Sequence, residues 1–218
     1  KEDTIYDIEN LTGGTGNDTL TGNNSKNTLQ GGAGDDTLVS FGSTGNVLDG
    51  GTHNSVASGG DWASYTLRDA KVVVNLSAVD VNDFSTATIG VNQDYLKDIE
   101  NIKGTIQSDT LAGNSLDNTL HAHQGTNDTL IGSSGDDYLV GSSDGQTVFK
   151  AGVVSTAAGD FSVSSGDDGS NTYEGFGSDN LLDYSAYDST RTIEVNLHSS
   201  NTVTKKLNGD IVSAKTDT

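Results

Sequence analysis

Aspartates set at regular intervals in turn-like stretches are the residues of this chain whose types and spacing could do chemistry. Asp18, Asp36, Asp109 and Asp128 each precede Thr-Leu, and Asp137 precedes Tyr-Leu. Carboxylates can act as general acids or bases, or they can hold a hard cation. Acid–base work needs a matched partner group, and the chain has no His-Glu-x-x-His, Gly-x-Ser-x-Gly or P-loop sequence. The repeat itself accounts for the carboxylates, so no catalytic residue and no enzyme activity are expected of this chain. A hard cation with six or more oxygen ligands fits better, because turn carbonyls and Asp or Asn oxygens supply ligands of that kind.

Positioning such residues requires a repeated element. Asp18-Thr19-Leu20, Asn27-Thr28-Leu29 and Asp36-Thr37-Leu38 recur every nine residues. The phrase returns as Asp109-Thr110-Leu111, Asn118-Thr119-Leu120, Asp128-Thr129-Leu130 and Asp137-Tyr138-Leu139. A longer period overlies it. "IENLTGGTGNDTLTGNNSKNTL" from Ile8 aligns without a gap to "IENIKGTIQSDTLAGNSLDNTL" from Ile99, with about half the positions identical. "GGDWASYTLRDAKVVVNLS" (59–77) likewise resembles "GSDNLLDYSAYDSTRTIEVNLHS" (177–199). The chain thus reads as a duplicated module. Residues 1–60 form a first Gly/Asp array, 61–101 a β segment linking the modules, 102–182 a second array, and 183–218 a second β segment.

Single apolar residues flanked by Thr or Val, between turns of Gly, Asn and Asp, give strand periodicity. Val72-Val73-Val74 and Ile193-Glu194-Val195 are β-branched runs of strand length. Gln93–Asn101 is the best helical candidate and is short, without a second apolar turn. In "GGAGDDTLV" (31–39), Leu38 should point inward with Thr37 and Val39 outward. So short a strand cannot bury its apolar face alone, and the next copies must stack on it. Stacking brings carboxylates of successive layers together, which is repulsive unless a cation lies between them.

Composition agrees. Acidic residues outnumber basic ones 31 to 11, for a net charge of −20, and only 32% of residues are hydrophobic. Such self-repulsion needs relief, through disorder or bound cations. The charge excludes nucleic acid and disfavours anionic lipid, both of which require clustered Lys and Arg. With no Cys there is neither a disulfide framework nor a thiolate site. No apolar run has the length needed to span a bilayer, and the absence of Met points to a processed chain or a segment of a longer one.

"GGTGNDTLT" (13–21) and "GGAGDDTLV" (31–39), with the near-match "GSSGDDYLV" (132–140), resemble the calcium-binding nonapeptide of the RTX, or haemolysin-type, family. The resemblance covers most of the chain, most specifically 8–40 and 99–140. It implies an all-β fold, a parallel β-roll or β-solenoid in which two nonapeptides complete one turn. Loops two units apart then share calcium. The implied pairs are Asp18 with Asp36, Asp109 with Asp128, and Asn118 with Asp137. The wider implied ligand set takes in Gly13, Thr15, Asn17, Asn27, Gly31, Ala33, Asp35, Asn127 and Asp136. Asn27 and Asn118 depart from the family's Asp, "GTIQSD" (104–109) has lost two of its three glycines, and 42–51 and 141–152 keep the cadence but lack the Asp of the repeat position. Calcium is therefore expected at a minority of loops, on the order of three to six ions by the oxygen-ligand requirement. "SGDDGSNTY" (165–173) and "GFGSDNLL" (175–182) are candidates for a last site. As an alternative for every such Asp or Asn, the side chain simply bonds its own turn.

Other features have plainer readings beside functional ones. His121 and His123 could bind zinc, but no third ligand is indicated. Trp62 and Tyr65 could stack on a cell-surface glycan, or plug the end of a core. The threonines at 19, 28, 37, 110, 119 and 129 could order water, or merely suit exposed strands. The second module stops before any Asp-Ile-Glu-Asn, a phrase that Tyr6–Asn10 supplies. Either the chain is a segment of a longer array, or subunits complete one another head to tail into a filament. The sequence reading is an extracellular, calcium-dependent structural module of a bacterial surface adhesin, surface layer or fibre. The resemblance implies type I secretion. The competing reading is a non-catalytic accessory module of a secreted hydrolase, lipase or epimerase.

Overall fold

In the computed structural model, described residues are 6–52, 59–154, 163–164, 171–176, 180–186, 191–196, 202–207 and 216–217. All regular elements among them are strands. The chain runs β1 (Asn10–Thr12), β2 (Thr19–Thr21), β3 (Thr28–Ala33), β4 (Thr37–Val39), β5 (Val47–Thr52), β6 (Trp62–Ser64), β7 (Val72–Asn75), β8 (Ser85–Ile89) and β9 (Asn92–Lys97). It continues through β10 (Asn101–Lys103), β11 (Thr110–Ala112), β12 (Thr119–His121), β13 (Asp128–Ile131), β14 (Tyr138–Val140), β15 (Thr147–Lys150), β16 (Val153–Val154) and β17 (Val163–Ser164). β18 (Thr172–Glu174), β19 (Leu181–Asp183), β20 (Arg191–Asn196), β21 (Thr202–Leu207) and β22 (Thr216–Asp217) complete it.

Successive nonapeptides alternate between two sheets. One has the order β1-β3-β5-β9-β8-β7-β11-β13-β15-β19, the other β18-β14-β12-β10-β6-β4-β2. Outside the β7–β8–β9 meander every pairing in these sheets is parallel, and the register is strict. Leu11, Leu29, Leu48 and Leu96 are direct neighbours along the first sheet. Leu111, Leu130, Phe149 and Leu182 form a second such file. Leu20, Leu38, Ala63, Ile102, Leu120, Leu139 and Tyr173 form the file of the other sheet. The one apolar residue at the centre of each short strand thus stacks on its own kind, and these side chains form the buried core. Thr37 is half-buried, but Val39 is buried like Leu38 rather than turned to solvent.

The segment between the arrays enters both sheets. Where the second sheet advances by one strand, β10, the first advances by three: β9, β8 and β7. From β6 the chain crosses to β7, which pairs with β11, and returns through antiparallel β8 to β9, which pairs with β5. The helical candidate Gln93–Asn101 is therefore not a helix: 93–97 belong to β9 and Asn101 opens β10. Asp94 and Leu96 of β9 are fully covered while Gln93 and Tyr95 are exposed, the two-residue alternation of a sheet. β20, β21 and β22 form a separate antiparallel sheet.

Candidate metal centre

Most turns between the sheets, among the described residues, end in an Asp, Asn or Glu whose side chain reaches the next layer. Asp18 N–H donates to Asp36 Oδ1 (2.7 Å), Asp36 N–H to Asp61 Oδ1 (2.7 Å), and Asp61 N–H to Glu100 Oε2 (2.8 Å). Asn118 N–H donates to Asp137 Oδ1 (2.8 Å) and Asp137 N–H to Asn171 Oδ1 (2.9 Å) on the same edge of the roll, where the chain enters the second sheet. On the opposite edge Asn27 N–H donates to Asn46 Oδ1 and Asn46 N–H to Asp94 Oδ1 (2.8 and 2.9 Å). Further along that edge Val72 N–H donates to Asp109 Oδ1 and Asp109 N–H to Asp128 Oδ1, both 2.8 Å.

The structure therefore places Asp18 beside Asp36, Asp109 beside Asp128, and Asn118 beside Asp137. It places Asn27 on the other edge, beside Asn46. Asp61, Glu100, Asn46, Asp94 and Asn171 occupy ladder positions that the sequence reading did not single out. A signal for two of them was present: Gly59-Gly60-Asp61 keeps the Gly-Gly and Asp of the repeat, and Glu100 aligns with Glu9.

Asp and Asn at this position behave differently. The Asn27 amide donates to Glu9 O (3.2 Å) and Asn118 to Glu100 O (2.8 Å), so the neutral side chain is satisfied at both ends. An Asp has nothing to donate. Asp36 and Asp128 are both fully buried, and the Oδ2 of each has no hydrogen-bond partner. Leaving such an oxygen buried and unpaired is costly, and for a charged group the cost is several kcal/mol, of order. In the second array burial pushes the Asp128 carboxyl up to about 7, with the nearby Asp109 carboxylate adding to the rise. Burial likewise pushes Asp109 up to about 6, against hydrogen bonds from Val72, Thr105 N–H and the Thr105 hydroxyl. A cation at these oxygens reverses the penalty.

Glycine keeps the space beside Asp18, Asp36 and Asp109 open. A Cβ on Gly31 would collide with Asp36 Oδ2 and Gly50 O, and one on Gly13 with Gly31 O and Asp18 Oδ2. Each cradle thus joins a carboxylate oxygen to a main-chain carbonyl of the next layer, the mixed oxygen set that calcium takes. Gly32, at φ 113°, adopts a backbone conformation that other residues rarely enter. A second file of side chains lies farther out. Asp35 N–H donates to Asn17 Oδ1 (3.0 Å), Gly60 N–H to Asp35 Oδ1 (3.2 Å), and Asp136 N–H to Asp117 Oδ1 (2.8 Å). Thr15, Asn127 and Asp136 are exposed, and Ala33 extends β3 beside Thr52. Among the described residues no three His, Asp or Glu side chains converge. The donor set that fits is therefore two carboxylates or amides plus turn carbonyls.

The remaining candidates are placed as follows. His121 Nδ1 accepts the His123 N–H (2.8 Å), which removes one zinc-binding nitrogen, and among the described residues no acidic side chain completes a site with them. Tyr65 is entirely buried, so it cannot stack on a glycan, whereas Trp62 is half-buried on the outer face of β6. Of the 165–173 and 175–182 stretches, only residues 171–176 and 180–182 are described, and the rest lie outside.

Residues 3–38 and 125–145 match the family model of the RTX calcium-binding nonapeptide repeat, in four copies. No curated protein matches the chain. The matched segments hold Asp18, Asp36, Asp128 and Asp137. The chain carries RTX nonapeptide repeats, folded as an all-β stack of parallel strands, and repeats of this type bind calcium. They are structural, non-catalytic modules.

Proposed function

We propose that this chain is an extracellular structural module of a bacterial surface adhesin, surface layer or fibre, and that it folds when calcium fills the carboxylate rungs of its edges. The observation that carries the reading is the pair of buried, unpartnered oxygens, Asp36 Oδ2 and Asp128 Oδ2, in the matched repeats. Metal binding is then folding free energy. At low cytosolic calcium the acidic chain remains unfolded and exportable, and it folds outside where calcium is abundant. Secretion of RTX proteins agrees with this, as does the lack, among the described residues, of any helix long and apolar enough to cross a membrane. The proposed ligands are Asp18, Asp36, Asp109, Asp128 and Asp137, with the loop oxygens of Gly13, Asn17, Gly31 and Asp35, while Asn118, whose amide and oxygen are bonded within the protein, is left out. Circular dichroism with and without calcium tests the proposal. Strand signal should develop on calcium addition, and an unchanged β spectrum in excess chelator would sink it.

A second element of the proposal is head-to-tail completion by a further module. β10 pairs with β6 inside the chain, in the register Asn101–Trp62, Ile102–Ala63 and Lys103–Ser64. By the internal alignment β1 is the counterpart of β10, and β19 of β6. These two strands stand at opposite ends of one sheet. A following module's β1 can therefore add to β19 as β10 adds to β6. Sedimentation in millimolar calcium that finds only monomer at every concentration would refute joining between separate chains.

A further inference from the structure

One ladder position on the Asn27 edge is already filled. Asp94 Oδ1 accepts the Asn46 N–H, just as Asp36 Oδ1 accepts the Asp18 N–H. Asp94 Oδ2 is thus the counterpart of the oxygen that has no partner at Asp36 and Asp128. Here it is surrounded by donors. Ser40 Oγ–H reaches it at 2.6 Å, Arg68 Nη2 at 3.2 Å and the Asn46 amide at 3.4 Å. The guanidinium also donates to Gly42 O and Ser43 O, two carbonyls of the adjoining turn. Two more donations, from Nε and Nη2, reach Ser40 Oγ at 3.1 and 2.6 Å.

A carboxylate of one layer and turn carbonyls of the next are the oxygen types that the neighbouring edges offer to calcium. At this layer a side chain of the protein binds them. Arg68 and Asp94 are 5% and 0% exposed, and the fork of five donors matches several fixed oxygens as an ammonium could not. The turn that follows β6 places the guanidinium, with Arg68 N–H donating to Tyr65 O (2.9 Å). The same region contributes many of the side chains of the continuous apolar core. Tyr65, Val72, Val74, Ala87 and Leu96 are fully buried or nearly so, against Ala63 and Ile102 of the other sheet.

We infer that Arg68 is the resident cation of this layer, standing where calcium stands at Asp36 and Asp128, so that residues 59–103, together with the 40–46 turn that Arg68 and Asp94 hold, form a calcium-independent folded unit between two calcium-dependent arrays. This rests on the calcium-dependent reading of the arrays. It changes what chelation does: the chain loses its arrays and keeps its middle. The retained unit presents β9 and β7, the two strands on which β5 and β11 add in parallel. It therefore templates both arrays when calcium returns.

Hydrogen exchange on the full chain tests this. In excess chelator, amides of 72–75 and 85–97 should exchange at least about tenfold more slowly than those of 19–21, 37–39 and 110–112, on the usual scale of subglobal opening. Arg68→Met should abolish that difference in chelator while leaving calcium-dependent protection of the arrays. Equal, fast exchange of the middle and the arrays in the wild type would overturn the inference. Full protection of the middle in Arg68→Met would overturn it too. If Arg68→Met does not fold even with calcium, Arg68→Lys decides: reduced protection in chelator supports the role of the guanidinium fork, and wild-type protection refutes it. Arrays that stay protected in chelator would instead refute the calcium-dependent folding, a separate result.

Discussion

Asp128→Asn should stabilise the second array without calcium and destabilise it with calcium. In the metal-free fold burial holds the Asp128 carboxyl at about 7, against an ordinary 3.8. At pH 8 a rise of about three units corresponds to a penalty on the order of 4 kcal/mol for keeping the carboxylate ionised in the fold. An amide removes that charge. Its Oδ1 can still accept the Asp109 N–H, as Asn46 Oδ1 accepts the Asn27 N–H. With calcium present the balance reverses. An ion at about 100 times its Kd contributes about 2.7 kcal/mol to stability, and the variant loses a charged ligand for it. The assay is hydrogen exchange of residues 110–112 and 128–131 at pH 8, in chelator and in millimolar calcium. The variant should exchange more slowly than wild type in the first and faster in the second. A variant less stable in both, or unchanged in both, would refute a cation role for this carboxylate.

Three further outcomes follow from the same geometry. Gly31→Ala forces a methyl against Asp36 Oδ2 and Gly50 O, whereas a Cβ on Gly16 meets nothing within 4 Å. The first should cost about 1–3 kcal/mol and raise the calcium midpoint by circular dichroism, while Gly16→Ala should stay within about 0.5 kcal/mol; equal effects would contradict the cradle. Leu38→Ala, at a fully buried position paired with Leu20 and Ala63, should cost about 2–5 kcal/mol in calcium by denaturant unfolding; a loss under about 1 kcal/mol would contradict the stacked core. In chelator, the pKa values of about 6 and 7 at Asp109 and Asp128 lie above the unfolded 3.8. Their contribution to stability is thus fully present below about pH 4 and lost as pH rises through 6 to 7. Protection of the second array should be greater at pH 5 than at pH 8, and a flat profile would exclude burial of these groups in the metal-free fold.

The fold was legible in the sequence where one apolar residue falls every nine positions. Leu20, Leu29 and Leu38 alternate between two sheets because each nonapeptide holds one turn and one strand, and a parallel register stacks each Leu on the Leu two units away. The same arithmetic brings Asp18 to Asp36. Legibility ended where that period breaks. Asp94 joins Asn46 only because the meander carries the chain past β6 and back, an order that local pattern does not encode. Arg68 has no counterpart in the nonapeptide, so its place beside Asp94 depends on that crossing. Gln93–Lys97 read poorly because its polar residues are of two kinds, exposed Gln93 and buried Asp94, and only the ladder distinguishes them. The exchange of Asn for Asp was visible in the sequence. Its physical meaning came from the amides of Asn27 and Asn118, which donate to a main-chain carbonyl and so satisfy their layer without a metal.

The central claim is that ions lie at the carboxylate rungs of the two edges and not at their amide rungs. A crystal structure grown in calcium, with anomalous scattering recorded to locate the ions, tests it most directly. The account predicts calcium bound to Asp36 Oδ2 and Asp128 Oδ2, and no ion at Asn27, at Asn46 or beside Arg68 at Asp94. Calcium bound instead at the Asn27 and Asn46 rungs, or absent from both carboxylate pairs in saturating metal, would contradict it.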